Sequence, residues 1–299
     1  KCLGVMWQDG QVLHEVRRDT PEGAVDIIET LVSIVRELGE VDSVGIGVPG
    51  LVTRQGVLRA APNLVNIADF AVGPILRDIL HCKVAVENDA TCAAVAEWSV
   101  GAAQGVDDVV VVTLGTGIGG GLVSGGRLVR GTNGFAGEIG HMVVDPSGPK
   151  CVCGQRGCWE RYASGNGLAY LGALAAERGH AHMVQTLAGS NTSIRGEHIR
   201  EAALLGDDEA LAIVDEFARW VALGLSNLTN LLDPSMLVIG GGLAGSGDLF
   251  LQPIQRWFGE LLYSPELRPH PKLVLAKFAE QAGAIGAALL PEFAHISDI

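Results

Sequence analysis

The sequence has few basic residues, and this scarcity excludes several classes of partner. Its 299 residues include 21 Lys and Arg against 34 Asp and Glu, which gives a formal net charge of −13. Nucleic acid and anionic membranes would repel so acidic a chain. No run of about 18 apolar residues is present, so we expect no membrane-spanning helix. Such a chain must bind an anionic ligand through local backbone N–H groups and a metal ion.

The composition shows no sign of disorder. Hydrophobic residues make up 48% of the chain and charged residues 18%, which supplies ample apolar material for a packed interior. The length is too great for one small core and fits two lobes of ordinary size. No signal peptide is visible at the start, and we expect a cytoplasmic protein.

Predicted strands alternate with predicted helices, which indicates an α/β fold. The Asp9–Gly10 turn predicts an opening hairpin formed by residues 2–7 and 11–16. Further strands are predicted at 44–48, 84–87, 109–114, 236–239 and 273–278. Helices are predicted at 21–38, 71–80 and 90–101, over most of 163–232, and at 282–290. Ligands gather at the carboxyl ends of parallel strands in such a sheet.

A glycine-rich run, Leu114-Gly-Thr-Gly-Ile-Gly-Gly-Gly121, follows the strand predicted at 109–114. Glycines let several backbone N–H groups approach a phosphate closely. The run is not a P-loop, because no Gly-Lys-Ser/Thr follows it, and it is not a dinucleotide fingerprint, because a hairpin follows instead of a helix. We predict a phosphate-binding loop, the alternative being a glycine-rich hairpin without a ligand. A second close approach is predicted at Gly240-Gly-Gly242, although a tight turn would explain this segment nearly as well.

Asn88 and Asp89 stand at the carboxyl end of the strand predicted at 84–87. Phosphoryl transfer to a sugar hydroxyl needs a carboxylate that accepts the hydroxyl proton, and Asp89 is our candidate for that base. The amide of Asn88 is suited to bind a sugar hydroxyl. The alternative is that Asp89 only caps the helix that follows. This segment alone leaves both interpretations open.

Three of the six cysteines fall within eight positions, and a histidine precedes them by ten. Three thiolates and one imidazole form a closed tetrahedral zinc site, so the zinc would be structural. The predicted ligands are His141, Cys151, Cys153 and Cys158. A disulfide is the alternative, but it would leave an odd thiol. The flanking carboxylates of Glu138 and Glu160 suit a hexose pocket. The alternative for each is an ordinary solvated charge on the surface.

Taken together and in this order, these segments resemble the ROK family of sugar kinases and sugar-responsive repressors. The resemblance runs from Val44 to Gly286. It is carried by Gly47-Val-Pro-Gly50, Glu87-Asn-Asp-Ala90, Leu114–Gly121, Gly137-Glu-Ile-Gly-His141, Gly157-Cys-Trp-Glu160 and Val238-Ile-Gly-Gly-Gly242. Pro62-Asn63-Leu64, the cysteine segment and residues 131–141 look especially like the bacterial ATP-dependent glucokinases of this family.

The resemblance implies an actin-like (ribonuclease-H-like) ATPase fold, in which two α/β lobes close on a cleft. We expect residues 1–103 plus 285–299 to form the small lobe and residues 104–284 the large lobe, which carries the cysteine segment. The implied reaction transfers the γ-phosphoryl group of ATP, bound with Mg²⁺, to the 6-hydroxyl of glucose, with Asp89 as the general base. Family members are commonly dimers or tetramers, so the resemblance also implies a homodimer or homotetramer.

The resemblance also implies the roles of the other site residues. The sugar would contact Asn63, Asn88, Asp89, Glu138, His141 and Glu160. The phosphates would contact Gly115, Thr116 and Gly117, and the adenosine would lie near Gly241 and Gly242. Structural zinc would be held by His141, Cys151, Cys153 and Cys158.

Several alternatives stay open at this point. The sugar could instead be N-acetylglucosamine, N-acetylmannosamine, mannose or fructose, and polyphosphate could replace ATP, although the chain lacks a cationic run suited to a long polyanion. A sugar-sensing repressor of the same family would need an N-terminal helix-turn-helix domain, which the numbered sequence does not contain. Family kinases begin with an Asp-x-Gly-Gly-Thr loop, whereas Lys1-Cys2-Leu3-Gly4 looks like the residues just after that loop. We hypothesise that the numbered sequence is truncated at its start.

Overall fold

The structure is a computed structural model that describes residues 1–61, 68–242, 245 and 247–293. The chain divides into two compact units. Unit 1 comprises Lys1–Val111, Gly120–Gly137 and Lys277–Ile299, and unit 2 comprises Val112–Gly119 and Glu138–Ala276. Among the described residues, no helix has the length and apolar character needed to cross a membrane.

The secondary structure alternates strands and helices in the first part of the chain and is mainly helical from residue 160 to residue 232. The strands are β1 (Cys2–Gln8), β2 (Gln11–Arg18), β3 (Ser43–Val48), β4 (Leu51–Val52), β5 (Leu58–Ala60), β6 (Ala68–Phe70), β7 (Lys83–Asn88), β8 (Val109–Leu114), β9 (Ile118–Ser124), β10 (Arg127–Leu128), β11 (Met236–Gly240) and β12 (Lys272–Leu275). The helices are α1 (Ala24–Leu38), α2 (Val72–Leu80), α3 (Asp89–Ser99), α4 (Glu160–Ala163), α5 (Gly165–Glu177), α6 (His182–Ala188), α7 (Gly196–Leu204), α8 (Asp208–Leu232), α9 (Asp248–Leu261) and α10 (Ala282–Phe293).

The opening hairpin is confirmed. Strands β1 and β2 pair antiparallel, and the turn residues Asp9 and Gly10 have φ angles of 51° and 79°. Positive φ at both central residues is what a tight hairpin turn requires, and Asp-Gly meets that requirement at low cost. The prediction that α1 begins at Pro21 is wrong by three residues. Gly23, at φ 93°, lies outside the helical region, so the helix begins at Ala24.

In unit 1, the strand that carries Asn88 pairs with β3. Strands β3 and β7 are parallel, with Val48 opposite Asn88 at their carboxyl ends. Helix α10 packs against β3 and α3 so closely that two positions exclude a side chain. A Cβ at Gly45 would lie 1.5 Å from the carbonyl oxygen of Ala287, and a Cβ at Gly286 would lie 1.6 Å from that of Cys92. Close backbone contact therefore fixes the sheet and the helix that begins at Asp89.

In unit 2, strand β11 is buried along its whole length and ends at Gly240, where the second glycine run begins. The described sheet places β11 next to β8 and pairs β11 with β12 in parallel. All five residues of β11 are buried, as is typical of strands inside a parallel sheet. Strand β9 begins at Ile118, immediately after Gly117, and pairs antiparallel with β10, so a hairpin follows the glycine-rich run as predicted. Helix α9 and the short strands β4, β5 and β6 were not predicted from the sequence.

Candidate active site

The carboxyl end of β7 leads directly into α3, and Asn88 caps that helix. The Asn88 Oδ1 accepts hydrogen bonds from the backbone N–H groups of Ala90 and Thr91, at 2.9 and 3.1 Å. Its Nδ2 donates to the carbonyl oxygen of Gly50 at 3.1 Å, which holds the strand end against the turn after β3. The amide keeps one N–H for another acceptor. The capping function that the sequence offered as an alternative for Asp89 therefore belongs to its neighbour.

Asp89 is the first residue of α3, and its side chain reaches solvent. Its Oδ1 accepts a hydrogen bond from the N–H of Ala90 at 2.9 Å. Within the described part of the chain, no hydrogen-bond partner occupies its Oδ2. Protein atoms still crowd the carboxyl group, and this desolvation raises the pKa of Asp89, against the opposing effect of nearby backbone N–H groups. The result is an accessible carboxylate that binds a proton more readily than a fully hydrated one.

The glycine-rich run forms a tight, open turn between β8 and β9. The N–H of Gly115 donates to the carbonyl oxygen of Gly117 at 3.0 Å, and the carbonyl of Gly115 accepts from the N–H of Gly165 at 2.8 Å. Thr116, at the tip, is exposed. A Cβ at Gly117 would lie 2.7 Å from Oε2 of Glu160. The absence of a side chain at Gly117 thus lets the Glu160 carboxylate lie against the turn.

The glycines after β11 differ from one another in their surroundings. Gly241 has a φ of 86°, and a Cβ there would lie 2.4 Å from the carbonyl oxygen of Leu114, the last residue of β8. Among the described residues, no atom lies within 4 Å of the position of a Cβ at Gly242. Gly241 is therefore needed for packing against β8, whereas Gly242 leaves room for a ligand.

One histidine and three cysteines in unit 2 form a compact cluster. Their ligand atoms all lie within 4.8 Å of one another, and the members are His141, Cys151, Cys153 and Cys158. The Sγ atoms of Cys153 and Cys158 are 3.5 Å apart, and the Sγ of Cys151 is 3.6 Å from Nδ1 of His141. Two thiolates on one tetrahedral zinc ion, each bonded at about 2.3 Å, would lie about 3.8 Å apart. The four side chains fit such an ion in both donor type and spacing.

The geometry of the cluster also bears on the disulfide alternative. All six cysteines are free thiols, and the 3.5 Å between Cys153 and Cys158 is well beyond the ~2.05 Å of a disulfide bond. Burial raises the pKa of the thiols of Cys151 and Cys158. A metal ion would reverse this effect, because a coordinated thiol loses its proton.

Two carboxylates flank His141 on opposite sides of its ring. Oε1 of Glu160 lies 3.7 Å from Nδ1 of His141 and accepts a hydrogen bond from the Cys151 thiol at 3.1 Å. Oε2 of Glu138 lies 4.0 Å from Nε2 of His141. Nδ1 therefore faces the cysteines, and Nε2 faces away from them. A histidine that binds a metal through one nitrogen keeps the other for a hydrogen bond.

The structure brings together some of the predicted site residues. Asn88 and Asp89 are adjacent in unit 1, and in unit 2 Glu160 links the cysteine cluster to the turn at Gly117. Asn63 lies outside the described residues. The sequence assigned no function to Glu87 or Arg130, which form a buried ion pair beside Asn88. No local pattern reveals that pair, because 43 residues separate its members.

A glycine-rich turn after a buried strand and a carboxylate at the end of a parallel strand are features that actin-like sugar kinases and their relatives share. The chain belongs to the ROK family, whose model matches residues 2–292.

Relatives of known function extend this assignment. A glucokinase of Streptomyces coelicolor is 38% identical over 96% of this chain and 92% of its own length. An N-acetyl-D-glucosamine kinase of Pectobacterium carotovorum is 34% identical over 99% of this chain and 95% of its own length. The crystal structure of a ROK family glucokinase from Streptomyces griseus, in complex with glucose and AMPPNP, superimposes with a TM-score of 0.85 at 39% identity, over 96% of this chain and 94% of that one. These similarities confirm the predicted α/β fold of the actin-like ATPase class.

Proposed function

We propose that this chain is an ATP-dependent glucokinase that transfers the γ-phosphoryl group of ATP to the 6-hydroxyl of glucose. Its membership of the ROK family and its similarity to glucokinases over almost its whole length make it a sugar kinase. The observation that carries the finer proposal is the N-terminus of α3. There Asn88 caps the helix and leaves the carboxylate of Asp89 accessible at the strand end.

Asp89 is proposed as the general base. Its Oδ1 is held by the N–H of Ala90, which orients the carboxyl group, and its Oδ2 is available to accept the hydroxyl proton. Burial raises the pKa of Asp89, which brings its proton affinity closer to that of a useful base at neutral pH. As the proton leaves, the hydroxyl oxygen attacks the γ-phosphorus in line with the leaving oxygen of ADP.

The hydroxyl groups of the sugar are proposed to bind five further side chains. Asn88 retains one amide N–H for this purpose, and Nε2 of His141 points away from the cysteines. The carboxylates of Glu138 and Glu160 lie within 4.0 Å of the His141 ring, so the three side chains present both donors and acceptors. The proposed sugar ligands are Asn63, Asn88, Glu138, His141 and Glu160.

The nucleotide is proposed to bind through backbone groups. Gly115, Thr116 and Gly117 would bind the phosphates: the N–H of Gly115 closes the turn on the carbonyl of Gly117, and the N–H groups of Thr116 and Gly117 would bind the phosphate oxygens. Gly242 would lie near the adenosine, with Gly241 shaping the turn against β8. Mg²⁺ bound with ATP would neutralise charge that develops on the phosphate oxygens.

Zinc in the cysteine cluster is proposed to have a structural function. The four ligands leave no open coordination position, so the ion would hold the loop from His141 to Cys158 rather than activate water. The cluster would also fix the ring of His141 in the orientation that presents Nε2 to the sugar.

The decisive experiment is a coupled ADP-release assay over a panel of hexoses. We expect glucose to be the preferred acceptor, with N-acetylglucosamine, N-acetylmannosamine, mannose and fructose poorer, and ATP to be preferred over polyphosphate. Asp89→Asn should lower kcat about 100-fold or more, because general-base catalysis contributes that much, while glucose binding persists. Asp78→Asn, an exposed aspartate on α2, is the matched control. Near-normal turnover of Asp89→Asn would remove Asp89 from the base function.

A further inference from the structure

A buried ion pair lies directly before Asn88 and Asp89. The side chains of Glu87 and Arg130 are only 3% and 11% exposed, and Nε of Arg130 donates to Oε2 of Glu87 at 2.6 Å. The other oxygen, Oε1, accepts the backbone N–H of Asn88 at 2.9 Å. A single carboxylate therefore binds both the backbone of residue 88 and the guanidinium of residue 130.

Arg130 begins a loop that is tied to the rest of unit 1. The N–H of Ala136 donates to the carbonyl oxygen of Arg130 at 3.1 Å, which closes the loop on itself. The carbonyl of Gly131 accepts two hydrogen bonds from the guanidinium of Arg54, at 3.0 and 2.7 Å. Gly134 packs so closely that a Cβ would lie 2.5 Å from the carbonyl oxygen of Val52. This loop, residues 130–137, leads in the chain to Glu138.

Packing alone does not fix the pair. Glu87, Arg130 and Arg54 line part of a cavity of about 60 Å³ in the described part of the chain, so protein atoms do not surround them completely. Their placement depends on directional hydrogen bonds. Buried ion pairs are also a poor source of stability, because desolvation of both charges offsets most of their attraction. Burial raises the pKa of Glu87, and Arg130 and the N–H of Asn88 oppose that rise.

We propose that Glu87 and Arg130 are positioning residues for phosphoryl transfer. The pair holds the carboxyl end of β7, which leads to Asn88 and Asp89, at a fixed position relative to the 130–137 loop. That loop leads in the chain to Glu138. Neither residue contacts the reacting atoms in this proposal. Both act through Asn88, Asp89 and the loop. The inference rests on the proposed kinase function, because it assigns those neighbours to the base and the sugar ligands.

The test measures kcat and the KM for glucose in three variants. Glu87→Gln keeps an acceptor for the N–H of Asn88 but turns an amide N–H₂ toward Arg130. We expect kcat to fall about 10- to 100-fold, since displacement of a catalytic group by about 1 Å costs that much. Arg130→Gln should lower kcat similarly and also raise the KM for glucose, because it releases the loop. Arg130→Lys retains the charge without the planar fork, and we expect it to recover only part of the kcat.

A double variant shows whether the two residues act as one unit. If they do, Glu87→Gln/Arg130→Gln should have a kcat no lower than the worse single variant, whereas independent effects would multiply. A kcat of the double variant that falls by the product of the two single losses would overturn the proposal. The control is Glu97→Gln, which alters another buried carboxylate of unit 1 that binds only backbone N–H groups. It should lower the unfolding midpoint and leave the kcat of the folded enzyme unchanged.

The unfolding midpoint distinguishes a variant that does not fold from a folded variant whose catalytic groups are displaced. Unfolding midpoints are measured for every variant, and if Glu87→Gln does not fold, Arg130→Lys decides the question. A kcat of Arg130→Lys within twofold of the unmodified enzyme would overturn the proposal. Failure of the kinase assignment would look different, because the unmodified chain would then phosphorylate no sugar in the panel. An active chain that depends on Asp89 but tolerates changes at Glu87 and Arg130 refutes only the positioning function.

Discussion

Glu97 is predicted to be a major source of stability in unit 1. Its side chain is 1% exposed and accepts three backbone N–H groups: Ala102 at 2.9 Å and Lys277 at 3.0 Å on Oε2, and Phe278 at 2.7 Å on Oε1. The carboxylate thereby joins the end of α3 to the segment that leads into α10. The site is tightly fitted, because a Cβ at Gly101 would lie 2.4 Å from Oε2.

The cost of Glu97→Gln follows from these three bonds. An amide oxygen placed at Oε2 keeps the bonds from Ala102 and Lys277, but the amide N–H₂ then faces the N–H of Phe278. Loss of that charge-assisted bond costs about 1.5–3 kcal/mol, and the two retained bonds weaken by about 1 kcal/mol each when the charge is removed. A neutral amide is less costly to bury than a carboxylate, which offsets part of the loss. We expect a net loss of about 3 kcal/mol.

Thermal and urea unfolding measure this loss directly. At about 2–4 °C per kcal/mol, the unfolding midpoint should fall by about 6–12 °C. Glu29→Gln, the same chemical change at an exposed position of α1, is the matched control and should leave the midpoint unchanged. A fall of less than about 2 °C for Glu97→Gln would refute the reasoning, because three buried N–H groups would then have found other acceptors at no cost.

Two further predictions concern the metal cluster and the base. Metal analysis of the purified protein should find one zinc ion per chain. Cys158→Ser, which changes a fully buried ligand, should lose the zinc ion and unfold at a lower temperature. A full zinc content in that variant would exclude the proposed site. Because desolvation raises the pKa of Asp89, kcat/KM should begin to fall on the acid side at a higher pH than for an ordinary aspartate. An ionised Asp89 also disfavours the folded state, so Asp89→Asn should be more stable than the unmodified protein at neutral pH. This difference should disappear once the pH falls below the ordinary pKa of aspartate, and urea unfolding across pH would contradict the argument if the variant were less stable at neutral pH.

Local patterns predicted the elements that are long or sharply bounded. Neighbouring residues correctly predicted the Asp9–Gly10 turn, strand β8 and the strand that ends at Asn88. The strands β4, β5 and β6 have only two or three residues, too few to show a period of two. Helix α9 contains Pro253, a residue that normally argues against a helix interior. This proline interrupts the amphipathic pattern of the helix in the sequence.

The candidate site was predictable only where its residues are close in sequence. His141 and the three cysteines lie within eighteen positions, and their spacing was sufficient to predict a cluster that the structure contains. The network around Glu87 could not be predicted, because Arg130 and Arg54 approach it through the fold and each is unremarkable in its own segment. The sequence predicted a close approach at Gly240-Gly-Gly242 and left a tight turn as the alternative, and only the structure reveals that Gly241 packs against Leu114.

At the N-terminus of α3, capping and the proposed base catalysis do not compete for one carboxylate. Asn88 satisfies the first free N–H groups of the helix with a neutral amide, so Asp89 keeps an oxygen for a proton. The helix N-terminus favours the ionised form of a carboxylate in its first turn, whereas the surrounding protein atoms disfavour it. A carboxylate stabilised only by the helix would be too weak a base, and one that is only desolvated would be protonated too readily. We therefore expect the exchange Asn88→Asp to be harmful even though aspartate is an equally good cap, because a second negative charge would disturb this balance.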